Sequence, residues 1–309
     1  MGLAQTRPHF TKIIFHSMEL RTLKYFLAVA QEESISKAAS DVLFVTQPTL
    51  SRQMQELEEE LGVKLFERSN KKTILTEDGI FFRKRAEEIV ALAERTANEF
   101  KVASQQELTG DIFVGGGETD GMRVIAKVFK KFNEKHPQVR LNLFSGNAAD
   151  VTEKLDQGLL DFGILIEPVN KQKYDYLALQ SKDTWGLLVR RDSELAERKF
   201  IKPADLTKIP LIVSRQSFRS NEFSGWLGRI PLNVIATYNL LFNASLMVKE
   251  GVGCALCLDK IINTSEDSEL KFIPLRPARE VGLVAIYKKN AAFSKPAALF
   301  LEMLKQELE

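Results

Sequence analysis

The stretch Ser36 to Arg68, SKAASDVLFVTQPTLSRQMQELEEELGVKLFER, constrains this chain more than any other. It reads as two helices joined by a short apolar turn. On the second, Leu50, Met54, Leu57 and Leu61 recur at steps of four, three and four, which at helical pitch makes one apolar stripe that belongs in a core. The opposite edge carries Gln47, Pro48, Ser51, Arg52 and Gln55, and apart from the proline these are residue types that hydrogen-bond to base edges in a major groove. Thr46 is placed to cap this helix, and Pro48 is tolerated because first-turn amides have no intrahelical partner. Further along, Glu56, Glu58, Glu59 and Glu60 form an acidic run that phosphate would repel, so only the first half is expected to approach DNA, dipole end leading. The preceding helix, Ser36 to about Leu43, has Ala38 and Ala39 where a close helix crossing needs small side chains. Together the two make a helix-turn-helix. Hairpins of amphipathic helices also occur in proteins that never meet nucleic acid, and the flank decides between them. In LFERSNKKTILTEDG, Arg68, Lys71 and Lys72 surround a Ser-Asn turn between short apolar runs, a basic-tipped wing suited to phosphates.

The exact residues then carry a resemblance. Thr46-Gln47-Pro48-Thr49-Leu50-Ser51-Arg52, Leu57-Glu58-Glu59-Glu60-Leu61-Gly62-Val63-Lys64-Leu65-Phe66-Glu67-Arg68 and Leu75-Thr76-Glu77-Asp78-Gly79 resemble the N-terminal signature of the LysR-type transcriptional regulators. The resemblance implies α+β and α/β parts: an N-terminal winged helix-turn-helix domain, a long linker helix that pairs in an antiparallel coiled coil, and a C-terminal two-lobed, periplasmic-binding-protein-like (type 2) α/β effector domain. It implies a dimer or tetramer on dyad-symmetric, double-stranded operator DNA, a small-molecule effector, and RNA polymerase as a further candidate partner. Ser36, Gln47, Pro48, Thr49, Ser51, Arg52 and Gln55 are the expected DNA contacts in the helices, with Arg68 and Lys71 in the wing.

With 309 residues, 44% of them apolar, the chain can build more than one core, and a net charge of +2 provides no global basic field, so DNA affinity must come from a local patch. Two cysteines and the lack of an apolar run near 18 residues point to a soluble cytoplasmic protein with no membrane partner. Residues 1–17 have no signal-peptide core and read as a disordered vector leader or misassigned start, with a functional arm as the alternative. From Met18 the pattern puts Leu20, Leu23, Phe26, Leu27 and Ala30 on one helical face, and the winged domain is expected over residues 18–75. Thr76 then caps a linker helix, residues 76–104, whose seam is Phe82, Ala86, Ile89, Ala93, Ala97 and Phe100. That spacing is close to a heptad, and about 25 residues span roughly 40 Å, which suits a dimerisation helix better than a small domain's core.

Over residues 105–309 strands alternate with helices. Ile112–Gly115, Val139–Phe144 and Phe162–Ile166 are strands, with helices on Val124 to Phe132 and on Val151 and Leu155 between them, a βαβαβ run that implies a parallel sheet. A second block has strands at WGLLVRR, PLIVS, VIATYN and GCALCL before VGLVAIYKK and a final helix from Ser294 cross back. Lobe I is expected at about 110–182 and 281–309, lobe II at about 183–280. By the resemblance, effector lies between the lobes, at carboxyl ends of strands and starts of helices. Candidates are Gly117, Glu118, Thr119 and Asp120; Ser145, Gly146 and Asn147; Ser214, Arg215 and Gln216; and Thr237, Tyr238 and Asn239. Helix-start amides favour anions. Glu118 and Asp120 oppose a carboxylate unless they point away, which shifts the expectation toward an amine or a neutral effector.

Other motifs lead to bland readings. Gly115-Gly116-Gly117 lacks the spacing of a nucleotide loop. Cys254-Ala-Leu-Cys257 has redox spacing, but on a strand its sulfurs point to opposite faces about 10 Å apart. A thiol-responsive regulator stays as an alternative, as does a solute-binding protein whose N-terminal domain only oligomerises. His9, His16 and His136 are scattered, Asp161 suits a structural turn, and no metal site, catalytic group or cofactor is expected.

Overall fold

The computed structural model describes residues 18–68, 72–102, 107–170, 172–219, 223–228 and 230–309. They divide into two compact units, one ending at Ala97 and one beginning at Asn98.

In the first unit, α1 (Leu20–Glu32) is followed by α2 (Ile35–Lys37), which Ser34 caps by accepting from Lys37 N–H and which continues as a π-helical turn, Ala38–Leu43. Then come α3 (Gln47–Leu61), β1 (Phe66–Arg68), β2 (Thr73–Leu75) and α4 (Glu77–Val102). The expected plain α-helix from Ser36 is therefore wider-wound over most of its length. Leu50, Met54 and Leu57 are fully buried against Phe26, Val29, Ala38 and Ala39, while Leu61 lies at the margin of that core. Gly62 ends α3 at a φ of 69°. β1 and β2 form an antiparallel hairpin, Phe66 opposite Leu75.

The start of α4 explains the Leu-Thr-x-x-Gly spacing. Thr76 Oγ1 donates to Lys64 C=O (2.6 Å) and accepts from Gly79 N–H (2.9 Å). A Cβ on Gly79 would stand 2.1 Å from the Leu65 carbonyl oxygen, so only glycine lets α4 cross here.

The second unit contains β3 (Gly110–Gly116), α5 (Met122–Lys135), β4 (Val139–Ser145), α6 (Ala148–Asp156), β5 (Phe162–Ile166), β6 (Tyr174–Arg190), β7 (Leu211–Ser214), α7 (Arg215–Arg219), α8 (Ser224–Leu227), β8 (Val234–Tyr238), α9 (Leu241–Lys249), β9 (Cys254–Leu258), β10 (Leu270–Pro274), β11 (Glu280–Lys288) and α10 (Lys295–Leu308). Strand order is β4-β3-β5-β11-β6-β9-β7-β8, with β10 also on β6. β3 is parallel to β4 and β5, and β7 to β8 and β9. β6 and β11 run antiparallel to their neighbours, and β6 belongs to both lobes: it pairs with β11 up to Thr184 and with β9 from Trp185. Each lobe buries apolar side chains on both sheet faces, Ile112, Phe132, Phe162 and Phe300 among them in one and Leu187, Leu206, Leu211 and Leu256 in the other. The segment before Trp185 and β10 add strands that the sequence reading left out.

Candidate functional site

Two candidate sites stand on these units, one on each.

On α3, Gln47, Pro48, Thr49, Arg52 and Gln55 are exposed, and Ser51 is half-buried. Ser36 is exposed on α2, its carbonyl accepting from Ser40 Oγ (3.1 Å). Thr46 occupies the capping position but caps no amide; its hydroxyl pairs with that of Thr49 at 2.7 Å. Arg52 Nε donates to Glu56 Oε1 (2.7 Å) and Gln55 Nε2 to Glu59 Oε1 (2.8 Å), so part of the acidic run shares the face of the residues expected to read a groove. These exposed pairs are weak, and a nucleic-acid acceptor can replace them at small cost.

Glu58 departs furthest from the expectation of a solvated acidic run. It is buried and accepts from the N–H groups of Leu65 (2.8 Å) and Phe66 (3.0 Å) and from Lys64 Nζ (2.9 Å), pinning the wing to α3. Burial pushes its carboxyl up, and the bonds from Lys64, Phe66 and Leu65 outweigh that, leaving it below the usual glutamate value. Arg68 lies in β1, Lys72 is tied to Glu33 (2.6 Å), and Lys71 lies outside the described residues, as does the stretch 1–17.

The linker seam divides. Phe82 and Ala86 pack against the core of their own unit, Ala86 fully buried and Phe82 half-buried and edge-on to Phe26 at 4.9 Å. Ala93 is half-buried, while Ile89, Ala97 and Phe100 are exposed. Phe81, Ile89 and Leu92 are the large apolar side chains that the first unit leaves exposed along α4 beyond Ile80. Spacings of eight and three residues set them on one stripe; Ile89 belongs to the expected seam, and Phe81 and Leu92 were missed because periodicity does not say which face a neighbouring domain covers.

In the second unit a cleft of about 870 Å³ opens between the lobes. Of the expected residues, Gly117, Glu118, Thr119, Gly146, Asn147, Ser214, Gln216, Tyr238 and Asn239 line it, and Asp120, Ser145, Arg215 and Thr237 do not. Asp120 points to Arg123 (2.8 Å), whose guanidinium holds its carboxyl below the usual range. Glu118 stays in the cleft and crosses it, accepting from Leu241 N–H at the start of α9. In the opposite direction Gln216 Oε1 accepts from Ala148 N–H at the start of α6 (3.0 Å). Asn147 caps the same helix through Ala149 N–H (2.9 Å) and Asp150 N–H (3.1 Å). Thr119 donates to Asp183 Oδ2, while Asp183 Oδ1 is buried with no partner among the described residues. Desolvation raises the Asp183 carboxyl above its ordinary value.

The sequence reading missed Glu167, Trp185, Arg279 and Glu280, which line the cleft from the end of β5 and from β6 and β11. The signal that could have found them is the crossover itself, since strands shared by two lobes must border the space between them.

The other motifs have structural explanations. A Cβ on Gly115 would come within 2.5 Å of Leu160 Cδ1, so that glycine serves packing. Asp161 Oδ2 accepts from Phe113 N–H (2.8 Å). Cys254 and Cys257 enter different cores, and burial pushes both thiols up, that of Cys254 to about 11. Among the described residues no group of metal-binding side chains is present, and no helix is long and apolar enough to cross a membrane.

Comparison with known proteins follows this division. The family description "LysR substrate binding domain" matches residues 105–309, and "Bacterial regulatory helix-turn-helix protein, lysR family" matches residues 20–80. The chain is 28% identical over 295 residues to the HTH-type transcriptional regulator YvbU of Bacillus subtilis (strain 168), covering 94% of this chain and 98% of that protein. It is 30% identical over 296 residues to YwbI of the same organism, covering 94% and 97%. In fold it is similar to full-length CbnR, a regulator solved in complex with its target DNA, with a TM-score of 0.72, 24% identity, and coverage of 94% of this chain and 100% of that one.

Proposed function

Because the chain belongs to the LysR family of DNA-binding transcriptional regulators with an effector-binding domain, we propose that it reads a dyad-symmetric operator as a dimer or a dimer of dimers, and that a small effector held between the lobes changes how the paired copies sit on DNA. Gln47, Pro48, Thr49, Ser51, Arg52 and Gln55 meet bases or nearby phosphates, Ser36, Arg68 and Lys71 hold the backbone, and the Phe81, Ile89 and Leu92 stripe pairs α4 with a second copy. The effector acts by binding one assembly better than the other.

The observation that carries this reading is the division of α3. Leu50, Met54 and Leu57 are wholly buried, while the edge from Gln47 to Gln55 stays polar and open. A helix locked into a core on one side and polar on the other is the element a major groove admits.

The test is a gel shift against DNA upstream of the protein's own reading frame, across a salt series. Arg52→Ala is expected to weaken specific binding by about 1 to 3 kcal/mol, and Lys71→Ala to reduce mainly the salt slope. An unchanged footprint for Arg52→Ala would show that the groove assignment is wrong.

A further inference from the structure

Two helix starts face the cleft, and each is of the kind that receives an anion. Both are already filled from the opposite lobe: α9 by the Glu118 carboxylate, α6 by Gln216 and by its own Asn147. The acids lining the cavity, Glu118, Glu167 and Glu280, outnumber its one base, Arg279. Glu280 is bridged to Lys182 (3.1 Å), and Glu118 reaches across the space to the start of α9. Glu167 lies close over Gly282, where a Cβ would meet its Oε2 at 2.6 Å. Trp185, 3% exposed, also lines the cavity, and its indole N–H has no acceptor among the described residues.

A ligand presenting only a carboxylate must displace Glu118 from the Leu241 amide. A ligand presenting a protonated amine meets the Glu118 carboxylate with that contact intact, and charge-assisted bonds of that kind are the stronger class. An uncharged oxygen elsewhere on such a ligand gives the Trp185 N–H the acceptor it lacks.

We infer that Glu118 sets the ligand class of this cleft: by standing in for a ligand's acid group at the start of α9, it selects a small molecule with a protonated amine over a simple carboxylate. The inference rests on the reading above that the effector binds between the lobes.

Benzylamine, benzamide and benzoate give one ring with three charges. The readout is fluorescence of the full chain carrying Trp226→Phe, which leaves Trp185 as the only tryptophan. Benzylamine is expected to change Trp185 emission at about tenfold lower concentration than benzoate, with benzamide between them. Glu118→Gln, whose amide oxygen can still accept from Leu241 N–H, is expected to shrink that ratio to within about threefold. Benzoate binding as well as benzylamine in the Trp226→Phe protein overturns the inference and leaves the cleft reading standing. So does an amine preference that Glu118→Gln leaves unchanged, since Glu118 would then not carry it. No response to any of the three, in a protein that still shifts operator DNA, overturns the inference and the cleft reading together.

Discussion

The helix starts of the two units are treated in opposite ways. At α3 the N-cap residue Thr46 takes no first-turn amide; its hydroxyl faces Thr49 instead, and Pro48 removes one donor altogether. At α6 and α9 the amides are taken by Asn147, Gln216 and Glu118, two of these reaching across the cleft. The first unit thus leaves donors open where a phosphate can come, and the second leaves acceptors in excess, Asp183 Oδ1 among them. An open start suits a partner that arrives from outside, whereas filled starts set a threshold that an arriving ligand must exceed.

The sharpest way to break this contrast is at Glu58, where the first unit fills buried donors as thoroughly as the second does. Glu58→Ala strands the amides of Leu65 and Phe66 and is expected to destabilise the first unit by about 2 to 4 kcal/mol. Hydrogen exchange of the Leu50 to Leu57 amides reads that unit alone. Because the folded carboxyl titrates below 4.5, its contribution is complete above pH 4.5 and is lost as pH falls through the lower folded value. Glu58→Gln should lack that acid-side loss. Normal protection in Glu58→Ala would mean the wing does not depend on this carboxylate.

Glu58 also marks how far the sequence could be read. The helix-turn-helix was legible because its determinants are contiguous and its core stripe follows one helical period. The same acidic run hid a buried residue, since charge pattern does not reveal that Glu58 points inward at the turn where Gly62 reverses the chain. The βαβαβ block was legible from apolar runs and from the stop at His136-Pro137. The first part of β6, with Asp175, Gln180, Lys182 and Asp183 interrupting its apolar residues, was not. At the cleft, the segments could be named from strand ends, yet no local pattern signals that Glu118 meets Leu241, 123 residues away. Such pairings follow from the closure of two lobes and are visible only in three dimensions.

The excess of acceptors in the second unit is tested at Asp183. Replacing a buried, half-partnered carboxylate by its neutral isostere, Asp183→Asn, is expected to stabilise this unit by about 1 to 2 kcal/mol at neutral pH. The sign follows from its raised folded value. The unfolded group ionises from 3.8 upward while the folded one resists, so wild type carries the cost above that range and none below it. The advantage of asparagine should therefore vanish below pH 3.8. Unfolding followed by tryptophan fluorescence reports on this unit, which holds both Trp185 and Trp226. A destabilised Asp183→Asn protein would mean that the charge is needed, and the second unit would then hold no costly excess of acceptors at this position.

The smallest effect separates the two kinds of helix start most directly. Asn147→Ala removes a side chain that takes two amides of α6, and the usual cost of such a cap is about 1 kcal/mol. Thr46→Ala removes a residue in the same position of α3 that takes none, so its cost to stability should stay within about 0.5 kcal/mol. In DNA binding the order should reverse: Thr46→Ala frees the Thr49 hydroxyl and alters the contact edge, while Asn147→Ala leaves operator affinity without effector unchanged. Equal losses of stability in the two variants would show that Thr46 caps α3 in solution, and the contrast between an open and a filled start would then fail at its open end.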